Sequence, residues 1–446
     1  MLFQFLKYIN PSWYFNLSPK GNNPYFPDYD FLNEDEKQII QLDENYSTPE
    51  VTKLDAAYQA WNRGIIVRNH EIKLSMNGNI PNVSDNYHFI RKFFHPLWSV
   101  YVLIIRLLSL NNPFIEISAF WCQRNLKRVN LFEKVINHHK AILKFKSRLL
   151  EENPKVAIII PTLNRYRWLF DALKDLESQD YKNFEVIVVD QSFPVIGEFY
   201  DQFNLNIKLI QQSDKALWLA RNTAIEETNA EYILLYDDDS RTKPNWISQH
   251  IKCLDYFNCH ISSGVSISVV GAKVPKNYSF FRWGDQVDTG NVMVKREVFR
   301  KIGLFDRQFE KQRQGDGEFG LRAYLGGFKN ISNPFADRLH LKVGTGGLRE
   351  IGSWDGFRPK SWLGPRPIPS VLYMTRKYFG AKAALFLLLI SVPPSIIPYR
   401  FKSSNFKFVL GIAAFIVFLP LFLMQIIRSW LKSTRMLKDG PKIKYI

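Results

Sequence analysis

Tyr232-Ile233-Leu234-Leu235-Tyr236 is an apolar run without polar alternation, and it ends directly on Asp237-Asp238-Asp239. A strand of this kind is buried on both faces, which places it in a parallel sheet covered by helices. Ligands of such sheets bind at the carboxyl ends of the strands. Three adjacent carboxylates at that edge repel one another and raise each other's pKa, so a cation is the simplest compensation. Oxygen-only ligands favour a hard ion, magnesium or manganese, which keeps open positions for substrate phosphates. A solvated acidic turn that caps the next helix is the alternative.

The surrounding pattern extends this reading. Val156-Ala157-Ile158-Ile159-Ile160 reads as a buried strand stopped by Pro161, and Trp168 to Ser178 carries apolar residues at helical spacing. Phe184 to Val189 is a second strand ending at Asp190, Ile207 to Ile210 a third, and Leu217 to Glu227 a second helix. Strands alternating with helices of about three turns imply right-handed crossovers and a mostly parallel sheet with helices on both faces. Three strand ends then converge on one edge: Pro161-Thr162-Leu163-Asn164-Arg165, Asp190-Gln191-Ser192 and Asp237-Asp238-Asp239. The chain lacks a dinucleotide glycine fingerprint and a glycine-rich loop ending in Lys-Ser/Thr, so hydride transfer and phosphate-loop hydrolysis lose support.

The 446 residues exceed one typical domain. We expect a central domain over 153–357, an α-rich N-terminal extension over 1–152 without a chemical motif, and a C-terminal region over 358–446. The cysteines Cys122, Cys253 and Cys259 have no metal-like or redox spacing, which points to a reducing compartment, and the N-terminus shows no secretory signal. The net charge of +17 is uneven: from Arg358 onward there are fifteen Lys or Arg and a single acid, Asp439. That charge is interleaved with apolar segments at 383–399 and 408–427, so an anionic membrane is a better partner than nucleic acid. Only the second segment has spanning length. Because the linker between them is as basic as both flanks, a shallow or re-entrant hairpin at the cytoplasmic face satisfies the charge asymmetry best; two spans or a buried hairpin are the alternatives. Phe93 to Trp98 leads into the apolar run Val100 to Leu110, which is interrupted by Arg106 and is too short to span; it packs on the core or sits at an interface.

The pieces Ile158-Ile159-Ile160-Pro161-Thr162-Leu163-Asn164-Arg165, Val188-Val189-Asp190, Ala220-Arg221-Asn222, Leu234 to Asp239 and Gly315-Asp316-Gly317-Glu318-Phe319-Gly320-Leu321-Arg322 resemble, in this order, the inverting nucleotide-sugar glycosyltransferases of family 2. The resemblance covers roughly Lys155 to Glu350 and implies an α/β glycosyltransferase A-type fold, Rossmann-like, with manganese or magnesium as cofactor. It implies a nucleotide-sugar donor, a glycan or lipid-linked acceptor and a role in cell-surface polysaccharide synthesis. By the same resemblance Pro161, Thr162, Asn164 and Asp190 line the nucleobase and ribose site. Arg221 and Asn222 face the nucleotide, and Asp237, Asp238 and Asp239 hold ribose, diphosphate and metal. His340 reaches the metal or diphosphate. Asp316 falls where the family places its general base, and Glu318 where it places a supporting acid. Asp288-Thr289-Gly290-Asn291 resembles the segment beside the donor sugar, and the loop Gly344 to Arg349 could close over the diphosphate, with Arg349 supplying charge.

Physical chemistry supports those roles. The leaving diphosphate needs its charge neutralised, and inversion needs a single base on the opposite face of the sugar. Simpler readings remain beside each: Asp316 as a helix-capping acid, Arg221 as a surface helix residue, His340 as a polar strand residue, Trp283 and Trp354 as core. Gln191 replaces the family's second acid, and Ala216 and Trp218 replace its usual small residues before Ala-Arg-Asn. A polyprenyl phosphate as acceptor, and a catalytically silent membrane scaffold of the same fold, are the alternatives in function.

Overall fold

The computed structural model describes residues 1–19, 25–66, 80–269, 274–344, 356–359, 361–397 and 415–446. Its strands are β1 (Val156–Thr162), β2 (Phe184–Asp190), β3 (Ile207–Gln211), β4 (Tyr232–Tyr236), β5 (Ser240–Thr242), β6 (Ile261–Ser268), β7 (Arg282–Trp283), β8 (Asn291–Lys295) and β9 (Asn330–His340). They form one sheet in the order β3-β2-β1-β4-β8-β6-β9-β5, with β7 also on β9. Every residue of β1 and β4 is buried, as their uninterrupted apolar runs require. The helix Tyr166–Glu177 buries Leu169, Ala172, Leu173 and Leu176, the spacing of one apolar stripe.

The sheet is mixed, which corrects the expectation of a mostly parallel one. β1, β2, β3 and β4 are parallel neighbours, but β8 runs antiparallel to both β4 and β6. β9 is parallel to β6 and carries β5 and β7 antiparallel. The reversal follows from where the chain enters β8. It arrives through Asp288–Gly290 at the carboxyl edge of β4, pairs Asn291 with Tyr236 and then runs downward. An α/β architecture with a ligand edge is retained, and β8 delivers its first residues to that edge.

Both flanks are built into the same body. One buried apolar cluster runs from Leu2 and Phe3 through β1 and β4 to Tyr373, Met374 and Met436. In the N-terminal part, Lys92 lies between Asp43 and Asp55, each 2.8 Å away, and Asp55 also accepts from Tyr46 at 2.9 Å. In the C-terminal part, the helices Pro369–Ser391 and Leu419–Asp439 pack through Leu372, Ala384, Leu388 and Phe422. Among the described residues no helix is long and apolar enough to cross a membrane, so the membrane association expected of 383–399 and 408–427 gains no support there. Residues 398–414 lie outside the described residues.

Beneath the ligand edge sits a buried polar hub. Asn291 Oδ1 accepts from Trp246 Nε1 at 2.8 Å and lies 3.1 Å from His250 Nε2, while its amide donates to the carbonyls of Val265 and Ala336. Burial pushes the His250 imidazole down to about 4. The unfolded imidazole titrates near ~6.5, so this neutral histidine contributes its full stability above that pH and loses it as the pH falls toward its folded value. We expect this site alone to remove about 3 kcal/mol over that window, at about 1.4 kcal/mol per unit. Urea denaturation as a function of pH checks it, with His250→Leu flattening the slope between those two values.

Candidate active site

The acidic turn after β4 is held by cations from three directions. Asp237 Oδ1 accepts from Arg221 Nη2 at 3.0 Å and Oδ2 from Arg338 Nη1 at 2.9 Å. Burial alone would raise the Asp237 carboxyl, but Arg338 and Arg221 outweigh it and hold the group below the usual carboxylate range. Asp238 points the other way, accepting from Thr162 Oγ1 at 2.8 Å and Arg165 Nη1 at 3.0 Å. Its burial dominates and pushes the carboxyl up to about 6. Asp239 accepts from the Val343 amide at 3.2 Å and lies 3.3 Å from His340 Nε2.

The register of β5 on β9 explains these neighbours. Ser240 pairs with His340 and Thr242 with Arg338, so the last turn of β9 lies against the acidic turn. Arg338 is fully buried and links four groups: Asp237, Ser240 Oγ at 2.6 Å, Ser266 Oγ at 2.7 Å and Asp288 at 3.0 Å. Asp288 and Asp237 hold its guanidinium more firmly charged than usual despite burial. Sequence reasoning missed this residue. The signal was available, because Arg338 and His340 are two apart on one strand and share a face. Arg165 was also given no role, although it bridges Asp238 and Asp239.

Gly290 is dictated by close approach. A Cβ there would stand 2.1 Å from Asp237 Oδ2 and 2.4 Å from the Arg338 guanidinium nitrogens, so any side chain separates the pair. Thr289 receives Arg221 through both its hydroxyl, at 2.7 Å, and its carbonyl, at 2.9 Å.

The catalytic-helix candidates divide. Asp316 stands in the first turn of the helix Gly315–Leu325, half-buried, and burial raises its carboxyl even though Arg313 and Arg221 are near. Glu318 is fully buried on the other side of that turn, bound to Arg322 at 3.1 Å and to the Tyr378 hydroxyl, with Lys377 at 3.4 Å. Its carboxylate anchors the C-terminal helix Pro369–Ser391, a packing role that stands beside the supporting-acid role the resemblance implies. Asn222 is likewise structural: its amide donates to the Phe305 carbonyl at 2.9 Å and its oxygen accepts from the Phe305 amide at 3.0 Å. Asn291 spends both amide hydrogens and its oxygen on the hub beneath the edge, so it supports the site and has no donor left for a ligand.

At the nucleobase end, Asp190 is buried and accepts from Tyr166, Tyr200 and the Ser192 amide at 2.7, 2.8 and 2.9 Å. Pro161 is buried within β1, and Thr162 turns its hydroxyl to Asp238. Asn164 alone of this group is exposed, in a left-handed conformation with φ 53°. The family departures have their own partners. Gln191 Oε1 accepts from the Ala216 amide at 2.7 Å, and the Trp218 indole donates to the Phe309 carbonyl at 3.0 Å while filling the space beside Gly315. Among the described residues the buried Gln191 Nε2 has no hydrogen-bond partner. Arg349 and Trp354 lie outside the described residues.

Among the described residues one group could hold a metal ion: Asp237, Asp239 and His340 bring one donor atom each within 4.8 Å of the others. Each carboxylate oxygen has a second lone pair, so Asp237 can keep its arginines and still ligate. Two carboxylates with an imidazole suit manganese well and magnesium less well.

Residues 157–310 match Glycosyl transferase family 2; Asp316, Arg338 and His340 follow the matched segment. Over 198 residues the chain is 22% identical to the putative glycosyltransferase EpsE of Bacillus subtilis, covering 41% of this chain and 71% of EpsE. Over 187 residues it is 27% identical to the poly(ribitol-phosphate) beta-N-acetylglucosaminyltransferase TarS of Staphylococcus aureus, covering 38% of this chain and 32% of TarS. The chain therefore spans about a third of the length of TarS. The crystal structure of S. aureus TarS 1-349 in complex with UDP-GlcNAc aligns with a TM-score of 0.42 and 18% identity, over 59% of this chain and 80% of that one.

Arg338→Met should leave Asp237 and Asp288 without their shared cation. The expected cost is about 2–4 kcal/mol by urea denaturation, below that of a fully enclosed pair because the Asp288 side chain is 42% exposed. Arg338→Lys should recover less than half of it, since one ammonium cannot reproduce the planar fork.

Proposed function

We propose, from the glycosyltransferase family 2 domain that residues 157–310 constitute, that this chain transfers a sugar with inversion from a nucleotide-diphosphate donor to a glycan or lipid-linked acceptor. The carrying observation is the division of charge at the sheet edge. Arg221, Arg338 and the group Asp237, Asp239 and His340 gather on the acidic turn, and Asp316, its carboxyl raised by burial, faces them from the first turn of the helix Gly315–Leu325, within electrostatic reach of Arg221. Bound manganese or magnesium would neutralise charge on the departing diphosphate.

The rest falls to the chain's own residues. Asp316 accepts the proton of the acceptor hydroxyl as that oxygen bonds to the anomeric carbon. The bond from this carbon to the phosphate oxygen breaks, its electron pair leaves with the nucleoside diphosphate, and the sugar arrives inverted. Arg221 is fixed by Thr289 and Asp237, so its charge needs no rearrangement as the leaving group develops. A carboxyl raised by burial keeps its proton more tightly than an ordinary aspartate, which suits a base. TarS, by name a transferase of N-acetylglucosamine to poly(ribitol-phosphate), favours a polymer as acceptor, and we place that polymer at the cell surface. The place of action is the cytoplasmic side of a membrane, where nucleotide sugars meet lipid-linked acceptors.

Purified full-length protein with manganese should release nucleoside diphosphate from at least one member of a nucleotide-sugar panel, and a chelator should stop it. Asp316→Asn should lower kcat by about 10²–10⁴-fold while donor affinity stays within about threefold. Asp239→Asn should instead weaken manganese-dependent donor binding. Turnover by Asp316→Asn at the wild-type rate would place the base elsewhere.

A further inference from the structure

The N-terminal helices Pro96–Leu108 and Pro113–Cys122 form a hairpin whose inner face packs on the core through Ser99, Val102 and Ala119. Its outer face is apolar and exposed. Leu97, Ile104 and Leu108 form a helical stripe at 66, 52 and 75% exposure. The stripe continues over the turn through Leu110 and Phe114, at 93 and 83%, and descends along Ile117 to Trp121. Residues 96–122 contain two charges only, and they cancel: Arg106 Nε donates to Glu116 Oε1 at 2.9 Å, with Glu116 buried.

Charge begins where the apolar face ends. Arg124, Lys127 and Arg128 follow within six residues of Trp121's neighbour Cys122, all exposed, and no acid appears before Glu133. The Arg124 guanidinium stacks on the Trp121 ring at 4.4 Å, at the boundary between the two zones. Exposed apolar surface of this extent, most prominent at a protruding tip and rimmed by cations, calls for a covering partner. A bilayer with anionic headgroups matches every feature: tip and stripe for acyl chains, tryptophan at the interface, three cations for phosphates. Helices of 13 and 10 residues reach only about 20 and 15 Å, too short to cross the ~30 Å hydrocarbon core.

We propose that the hairpin 96–122 inserts in-plane into an anionic lipid surface, with Arg124, Lys127 and Arg128 at its headgroups. It goes beyond the transfer reaction and stands independently of Asp316 and the metal group. Chemistry on the protein supplies the probe, since Cys122 is exposed whereas Cys253 and Cys259 are buried.

Full-length protein labelled at Cys122 with an environment-sensitive dye is mixed with vesicles of phosphatidylcholine, alone or containing phosphatidylglycerol. The protein should sediment with the anionic vesicles, with a blue shift of the dye. Ile104→Glu/Phe114→Glu should weaken binding more than about tenfold. Arg124→Ser/Lys127→Ser/Arg128→Ser should weaken it on the order of a hundredfold at low salt, with melting temperatures unchanged in both variants. Three results overturn the proposal: wild-type protein that stays in the supernatant, variants that bind as the wild type does, or a concentration-dependent dimer that Phe114→Glu dissolves without any vesicle binding. The last would assign the face to a second copy of the chain.

Discussion

Three carboxylates at the end of one buried strand are tenable only because arginines are brought to them, and Arg338 is the pivot. Its guanidinium joins Asp237 on the turn after β4 to Asp288 on the loop before β8, and ties both to Ser266 on β6. A single charge thus fixes the mutual position of four segments. The reversal of β8, the alignment of β9 with β6 and the glycine at 290 all meet at this contact. If Arg338 were displaced, Asp237 would lose the largest of the charges that offset its desolvation and keep Arg221 and the weaker influence of His340.

The helix Gly315–Leu325, which carries the proposed base Asp316, is held from both ends of the chain. Tyr14 donates its hydroxyl to the Gly317 carbonyl, and Tyr324 donates to the Leu17 carbonyl at 2.8 Å. From the other side Glu318 takes Tyr378 and Lys377, and the preceding loop is fastened through Asp306, which accepts from Tyr373 and from the Lys442 amide. Regions that carry no chemical motif therefore position the residue proposed as base. Their function in the sequence is illegible for that reason: they act through packing and single hydrogen bonds to backbone, which leave no local pattern.

What could be read from the sequence follows the same physical line. Unalternating apolar runs revealed β1, β2 and β4, and strand ends revealed the acidic edge, because both signals are local. The antiparallel second half was hidden, since β6, β8 and β9 pair across long separations and their polar residues are buried in one network, Asn333 donating to Ser262 while His250 joins Ser262 to Asn291. Family motifs located Asp237, Asp239, Asp316 and His340 together with Asn222, Asn291 and Glu318, but motif position does not distinguish a ligand contact from the scaffold under it. The hydrogen bonds of Asn222 and Asn291 to backbone and of Glu318 to the C-terminal helix show what each holds in the fold. Gln191 stands where the family has an acid, and its side-chain oxygen accepts from the Ala216 amide.

The central claim is that the acidic turn and β9 form the cation half of a transfer site. Its most direct test is a crystal structure of the protein with manganese and a nucleoside diphosphate, with data collected at the manganese absorption edge. The account predicts an anomalous peak bound by Asp239 and His340, with Asp237 beside it, the diphosphate facing Arg221 and the Asp316 carboxylate left clear. A peak elsewhere, or a diphosphate bound with Asp237, Asp239 and His340 still joined only to protein groups, would contradict it.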